Sequence, residues 1–502
     1  VAEAASGSVV EALLAELEAS QIKLSLEDDR LKFSAPPGAL TPELRARLQQ
    51  HKPAIIDFLR NAPGVAAPPS FPQRRFWTLQ QLNPTATFYN DPFLFRLRGP
   101  LDSAVLRRSF NTLVARHEIL RTTLQQKDGE LWQIIRPAGT FDLIEEDLNG
   151  ETPERVFEVL YRHMHRPFDL ANDPGLRAVL VRAGGEEHFL QLCFHNTVFD
   201  LFSLWVVLNE LCEIYSASLS GRPPALPSAI QYTSYVQAQE SGRAEGMEAR
   251  RRYWEEWFEL GDPPAWSWSG AKAPPTEPSF NSHVTWIRRT PEQTAAIHAM
   301  CRRHGVTPFI VVLTALYLTM RIYTECSDLT IGTTYSNRDD WRFSSMIGAT
   351  LVVPALRFDS GDDPTLGVLL RRVKTVLAGA LRYQDIPADQ VVQRGSGKPL
   401  FRVVCSAFPE TPHGKLNLPG IDATWIDDWI DDVSRPDLYL VMWENPSPDG
   451  GGLTCYTMHK QDVFEREAAT AMVGRFEAIL DGFARDSAQH TSTFLRGIVE
   501  GC

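Results

Sequence analysis

The stretch QLCFHNTVFDLFS, residues 191–203, sets a histidine beside an asparagine and places an aspartate four residues further on. An imidazole can exchange protons near neutral pH. An amide donates and accepts hydrogen bonds but has no lone pair basic enough to take a proton. The residues on either side predict how these groups are held. In EHFLQLCFH, residues 187–195, Leu190, Leu192 and Phe194 alternate with Gln191, Cys193 and His195, the pattern of a strand. From Leu201 onward, Leu204, Trp205, Leu208, Leu211, Cys212 and Tyr215 recur at helical spacing. His195 and Asn196 therefore end a strand, where a turn presents polar groups to a cleft, and Asp200 stands just before a helix.

Other chemistries find little support. No GxSxG, Walker A, GxGxxG or HExxH motif occurs, and the His and Asp residues show no metal-ligand spacing, so no metal is expected. The seven cysteines, at 193, 212, 301, 326, 405, 455 and 502, form no CxxC pair and read as ordinary buried thiols. A net charge of −12 argues against a nucleic-acid partner, since such binding rests on neutralising phosphates. Arg250, Arg251 and Arg252 could meet one phosphate, but a solvated helix face is the commoner reason for such a cluster. With 43% hydrophobic and 22% charged residues the composition is that of a soluble globular protein. The apolar run at residues 307–320 is too short to span a bilayer, so no membrane is expected. The first twenty residues lack a secretory pattern, and the expected location is cytoplasmic.

A chain of 502 residues predicts two to four domains. APGVAAPPS, residues 62–70, reads as a linker. The module before it, residues 1–61, reads as a helix around 9–17, a hairpin from IKLSL (22–26) and RLKFS (30–34), and a helix capped by Thr41 and Pro42 that kinks at Pro53. So short a hairpin could accept a strand or segment from another chain, or pack on the main body; the pattern does not separate the two. Beyond the linker, β-like runs alternate with amphipathic helices. The strand PFLFRLRG (92–99) precedes a helix at 103–120 with Leu106, Phe110, Leu113 and Val114 on one face. A Pro-, Trp- and Gly-rich stretch near 261–278 divides two α/β lobes, 71–265 and 266–502.

Residues 70–502 resemble the condensation domains of nonribosomal peptide synthetases. The resemblance rests on SFPQRRFWTLQQLNP (70–84), RHEILRTTL (116–124), FHNTVFDL (194–201) in place of an HHxxxDG signature, YTSYVQ (232–237) with YWEEW (253–257), the run from Ile331 to Arg357, YQDIP (383–387) and GKPLFRVV (397–404), all in the family's order. Residues 1–61 are similar to the β-hairpin docking domains that precede such domains. The resemblance implies an α/β chain: a small αββαα docking module, then a two-lobed, V-shaped, chloramphenicol-acetyltransferase-like fold. It implies that Lys23, Ser25, Arg30 and Lys32 of the hairpin receive the C-terminal segment of an upstream megasynthase subunit. It further implies an acyl or peptidyl carrier protein whose phosphopantetheine arm brings the thioester, with no cofactor of the chain's own, and a small amine or alcohol as nucleophile.

Within this family the second histidine of the signature positions the nucleophile and assists proton transfer, and here that position is Asn196. The candidate catalytic set is therefore His195, Asn196 and Asp200, with His195 read chiefly as a hydrogen-bonded residue at the floor of the cleft. Asp200 is expected to form a buried salt bridge with Arg116, and Arg338 to support the site. Leu201 replaces the usual glycine, Val352 an asparagine and Ser234 an aspartate, whereas Gly332, Arg338, Gly348, Gln384, Asp385 and Pro387 keep the pattern. The resemblance suggests a freestanding docking-plus-condensation protein that forms an amide or ester in trans, with impaired or altered catalysis and chain release as one outcome. A second reading is a non-catalytic domain that binds a carrier or recruits a tailoring enzyme. Tailoring of the tethered chain by dehydration or epimerisation ranks last.

Overall fold

The computed structural model describes residues 13, 16–17, 22–27, 30–34, 41–52, 64–242, 246–261, 264–273, 275–276, 279–385, 400–408, 415–430, 432–444, 452–485 and 487–500. In the first module β1 (Lys23–Glu27) and β2 (Arg30–Ser34) pair antiparallel, as the alternation predicts. The register sets Lys23 opposite Ser34, Ser25 opposite Lys32 and Glu27 opposite Arg30, while Leu24 faces Phe33 and Leu26 faces Leu31. Polar and apolar residues thus occupy alternate pairs. α1 (Pro42–Gln50) opens with Thr41 accepting from the Leu44 N–H at 3.2 Å and buries Leu44 and Leu48. Arg47 ties it to Glu16 at 2.8 Å. The expected kink at Pro53 lies outside the described residues.

The chain as a whole divides into two compact units, the first module included: Val1–Gln239, Asp340–Ala349 and Pro412–Ile430 in one, the remainder in the other. The first unit holds, in chain order, β3 (Val65–Ala67), α2 (Phe71–Leu82), β4 (Asn90–Arg98), α3 (Ser103–Arg116), β5 (Thr122–Lys127), β6 (Glu130–Ile135), β7 (Leu143–Asp147), α4 (Pro153–Met164), β8 (Leu176–Gly184), β9 (Glu187–His195), α5 (Leu201–Leu219) and α6 (Tyr232–Gly242). The second contributes α7 (Met247–Glu259), β10 (Ser282–Arg288), α8 (Pro291–His304), α9 (Pro308–Thr324), β11 (Asp328–Thr333), β12 (Ala355–Asp359), α10 (Leu366–Tyr383) and β13 (Val403–Ala407). β14 (Asp422–Trp425) returns to the first unit before β15 (Leu438–Glu444), β16 (Leu453–Lys460), α11 (Arg466–Arg485) and α12 (Thr491–Glu500) complete the second.

Among the described residues the first unit's main sheet has the order β14–β4–β9–β8–β7, and β3–β6–β5 form a smaller one. The second unit's sheet runs β10–β16–β15–β13–β11–β12. α3 and α5 cover one face of the first sheet: Leu106, Phe110 and Leu113 of α3 pack with Leu190, Leu192 and Phe194 of β9 and Leu204, Leu208 and Leu211 of α5. Its other face is covered as well, by Val156 and Leu160 of α4 and by Phe168 and Leu170. Two covered faces leave the alternate residues of β9 no route to water: Gln191, Cys193 and His195 are 1%, 1% and 0% exposed. In the second unit α9 is buried along most of its length against α8, α11 and the sheet. Among the described residues no single helix is long and apolar enough to cross a membrane.

The units part at Gln239/Glu240, ahead of the expected boundary at 265/266, because α7 packs with elements of the second unit. Trp254 and Trp257 contact Ala355 and Phe401, and Arg250 grips Asp385 through Nε at 2.7 Å and Nη2 at 2.5 Å. Two members of the basic cluster are thereby held by neighbours of their own unit: Arg250 pairs with Asp385 and Arg251 with Glu248.

Candidate active site

The turn after β9 is fixed by its backbone before any side chain acts. The N–H of His195 donates to the Gly175 carbonyl at 2.8 Å, that of Asn196 to Tyr89 at 2.9 Å, and that of Val198 back to His195 at 3.0 Å. Phe194 and Phe199 stack at 4.0 Å on either side of the turn, and Phe93 of β4 packs on both. Asp200 then caps α5, its Oδ1 accepting from the Ser203 N–H at 2.9 Å with Ser203 Oγ at 2.8 Å. The same hydroxyl accepts from the Gly348 N–H at 3.0 Å, which joins the helix start to segment 340–349. Gly348 has no room for a side chain, since a Cβ there would lie 2.1 Å from the Tyr232 ring. Leu201 begins α5 outside the left-handed region, so this position does not need the conformational freedom of glycine.

His195 sits behind this turn and is fully buried. Its Nδ1 accepts from the Thr197 N–H at 3.1 Å, with Thr197 Oγ1 at 2.9 Å, and its Nε2 lies 3.5 Å from Gln80 Oε1, where it can only donate. That pattern selects the neutral Nε2–H tautomer. Burial pushes its pKa down to about 3. Both nitrogens are engaged and the ring does not take a proton near neutral pH, so His195 braces the turn and supplies no base.

Asn196 is partly exposed and its amide is held by a residue that the sequence pattern passed over. Its Nδ2 donates to Asp91 Oδ2 at 2.5 Å. A carboxylate only accepts, so the NH₂ side of the amide must face Asp91 and Oδ1 is turned to the opposite side. Asp91 pairs with Phe194 in the β4–β9 ladder. The sequence pattern starts this strand at Pro92. β4 in fact starts at Asn90, which carries Asp91 onto the face shared by Phe194 and Asn196.

The expected Asp200–Arg116 salt bridge is not formed. Arg116 instead grips Glu210 of α5, through Nε at 3.0 Å and Nη2 at 3.3 Å, and donates to the Pro227 carbonyl at 2.8 Å. His117 Nε2 lies 2.8 Å from the same carboxylate. Burial pushes Glu210 up, but the hydrogen bonds from His117 and Arg116 outweigh it and hold the carboxyl below its ordinary range. The physical reason lies in α5: Glu210 is one acid among apolar neighbours, 8% exposed, and a charge so placed requires a cation. RHEILRTTL thus clasps the end of α3 to α5 and to Gln231, the residue before α6, which accepts from the Glu118 N–H and donates to the Arg116 carbonyl.

Arg338 lies in the second unit, in the loop after β11, beside Asn337 at φ +51°. Gln384 and Asp385 keep that unit together: Gln384 bonds both backbone groups of Ala355 at 2.7 and 3.0 Å, and Asp385 holds Arg250. Pro387 lies outside the described residues, as do the side chains of Lys23, Ser25, Arg30 and Lys32, whose backbones form the hairpin register given above. A cavity of about 1160 Å³ in the first unit is lined by Trp132, Ile134, Phe141, Phe168 and Arg177. Phe168 and Arg177 are stacked on each other behind His195, so the cavity approaches the turn from its rear. Among the described residues no group of His, Cys, Asp and Glu is placed to hold a metal ion.

The fold and the turn define an α/β protein of two sheet-and-helix units, one of which presents a strand–turn–helix polar site. The chain belongs to the condensation domain family, which it matches over residues 66–495; residues 10–61 match the TubC N-terminal docking domain. It is 32% identical over 436 residues to malpibaldin synthetase of Mortierella alpina, covering 84% of this chain and 8% of that protein. Its structure is similar to the X-domain from teicoplanin biosynthesis, with a TM-score of 0.75 and 24% identity over 85% of this chain and 96% of that one, a domain also solved in complex with OxyB. It is similar too to the condensation domain of the monacolin K polyketide synthase MokA, with a TM-score of 0.72 and 19% identity over 85% of this chain and 99% of that one. The chain thus joins a docking domain to a condensation domain, and it spans under a tenth of the length of the synthetases it matches, 8% of one and 6% of another.

Proposed function

We propose that this protein joins a carrier-bound acyl thioester, presented on a phosphopantetheine arm, to a small amine or alcohol. The docking module supports a handover from another subunit, with the β1–β2 hairpin receiving that subunit's C-terminal segment, so that the carrier acts in trans. The observation that carries the reading is the turn at 195–200, in which Asn196 is oriented by Asp91 and Asp200 is locked into the start of α5. A site that had lost all work with substrate would have no need to hold a partly exposed amide so closely. Holding the nucleophile against the thioester supplies much of the acceleration by proximity alone. The test is to incubate acylated carrier with a panel of amines and alcohols, with and without the protein, and to identify the released product by mass. Product that forms no faster with the protein counts against the reading.

The absence of a neutral-pH base at 195 or 196 favours one alternative, a non-catalytic domain that holds a carrier or recruits a tailoring enzyme, in the manner suggested by the X-domain solved with OxyB. That alternative predicts carrier capture without turnover, and no gain of turnover in N196H.

A further inference from the structure

We propose that Asp91 is the proton acceptor of this site, with Asn196 as the group that orients its carboxylate; the inference rests on the bond-forming reading above. Attack on a thioester requires that a proton leave the nucleophile, and neither member of the 195–196 pair can take it. His195 is buried with both nitrogens committed. Asn196 has no basic lone pair. The carboxylate of Asp91 stands 2.5 Å from the Asn196 amide, on the same face of the sheet and likewise partly exposed. The two segments are fixed to each other twice over, by the Asp91–Phe194 register and by the Asn196 N–H to Tyr89 carbonyl bond at 2.9 Å, so the pair is pre-organised. With Nδ2 donating to Oδ2, the Asn196 amide fixes the orientation of the carboxylate, and the incoming N–H or O–H is received by the carboxylate itself.

The step balances without any other reagent. The nucleophile's lone pair forms the new C–N or C–O bond, and the C–S bond of the thioester breaks on collapse of the tetrahedral adduct. The proton lost from the nucleophile passes to Asp91 and then to the departing thiolate sulfur, which restores the carboxylate. Asp91 is suited to both halves: an amine already bonded to the carbonyl carbon is a far stronger acid than the free ammonium, and a protonated carboxyl readily protonates a thiolate, whose ordinary pKa is several units higher.

The experiment compares wild type, D91N and D91E in release of acyl groups from a loaded carrier to a fixed amine, with kcat and KM measured separately. D91N keeps the size of the side chain and an oxygen for the Asn196 amide, so the fold is retained; D91E retains the carboxylate. The expected result is a kcat for D91N lower by about 100-fold or more, an unchanged KM for the carrier, and recovery in D91E to within about tenfold of wild type. Should D91N fail to fold, D91S carries the same expectation. A D91N that turns over within threefold of an active wild type overturns the role of Asp91 and leaves the bond-forming reading standing. A wild type no faster than the carrier and amine alone overturns both.

Discussion

His195 and Asn196 are neighbours in the chain and opposites in environment. One ring is sealed beneath two covered sheet faces, and the amide beside it reaches the surface of its unit. Burial of the ring has a consequence for stability. The pKa of His195 falls to about 3 when folded, below the ordinary value of 6.5, and that of His459, buried in β16, does the same. Between those limits the unfolded chain takes a proton that the folded chain refuses, so stability falls as pH drops below 6.5. Each such histidine costs about 1.4 kcal/mol per pH unit across that window. Urea unfolding at pH 6.5, 6.0 and 5.5 should show this slope, and H195Q should reduce it by about one proton's worth. An unchanged slope in H195Q would mean that the ring titrates alike in both states.

Elements decide which of these residues meet. Asp200 holds the start of α5 through two contacts with Ser203, so D200A is expected to lose about 2 kcal/mol of stability, whereas D200N, which keeps a capping oxygen, should lose less. Denaturant midpoints of the two variants check the order. The Arg116–His117–Glu210 cluster ties α3 to α5, and E210A, which leaves Arg116 unpaired, should cost about 3 kcal/mol. How far such contacts could be read in advance depends on their range. The strand, turn and helix of 187–215 were legible because their periodicity is local, and the hairpin and the Thr41 cap were legible for the same reason. Asp91 was not, since it meets Asn196 from a strand 105 residues earlier and hydrophobic alternation carries no register between strands. Of the two acids of α5, Glu210 falls on the apolar side and Glu213 is held by Arg222, and that placement was the signal that the partner of Arg116 lay at 210 rather than 200. β14 was missed because four residues of mixed polarity resemble a loop until they pair with the edge of β4.

At the scale of the molecule, one chain holds a docking module and a condensation domain, and the proposed function assigns capture to the first and chemistry to the second. The register of β1 and β2 sets Lys23, Ser25, Arg30 and Lys32 in alternate pairs, so charge reversal in K23E/K32E should weaken capture of an upstream subunit's C-terminal peptide by about tenfold or more, as calorimetry would show. Unchanged affinity would place capture elsewhere. The central claim, that the turn at 195–200 still makes a bond, is tested most directly by intact-mass measurement of an acylated carrier protein incubated with an amine, with and without this protein. The account predicts that the protein speeds loss of the acyl mass and gives the matching amide or ester. Equal rates with and without it would contradict the account.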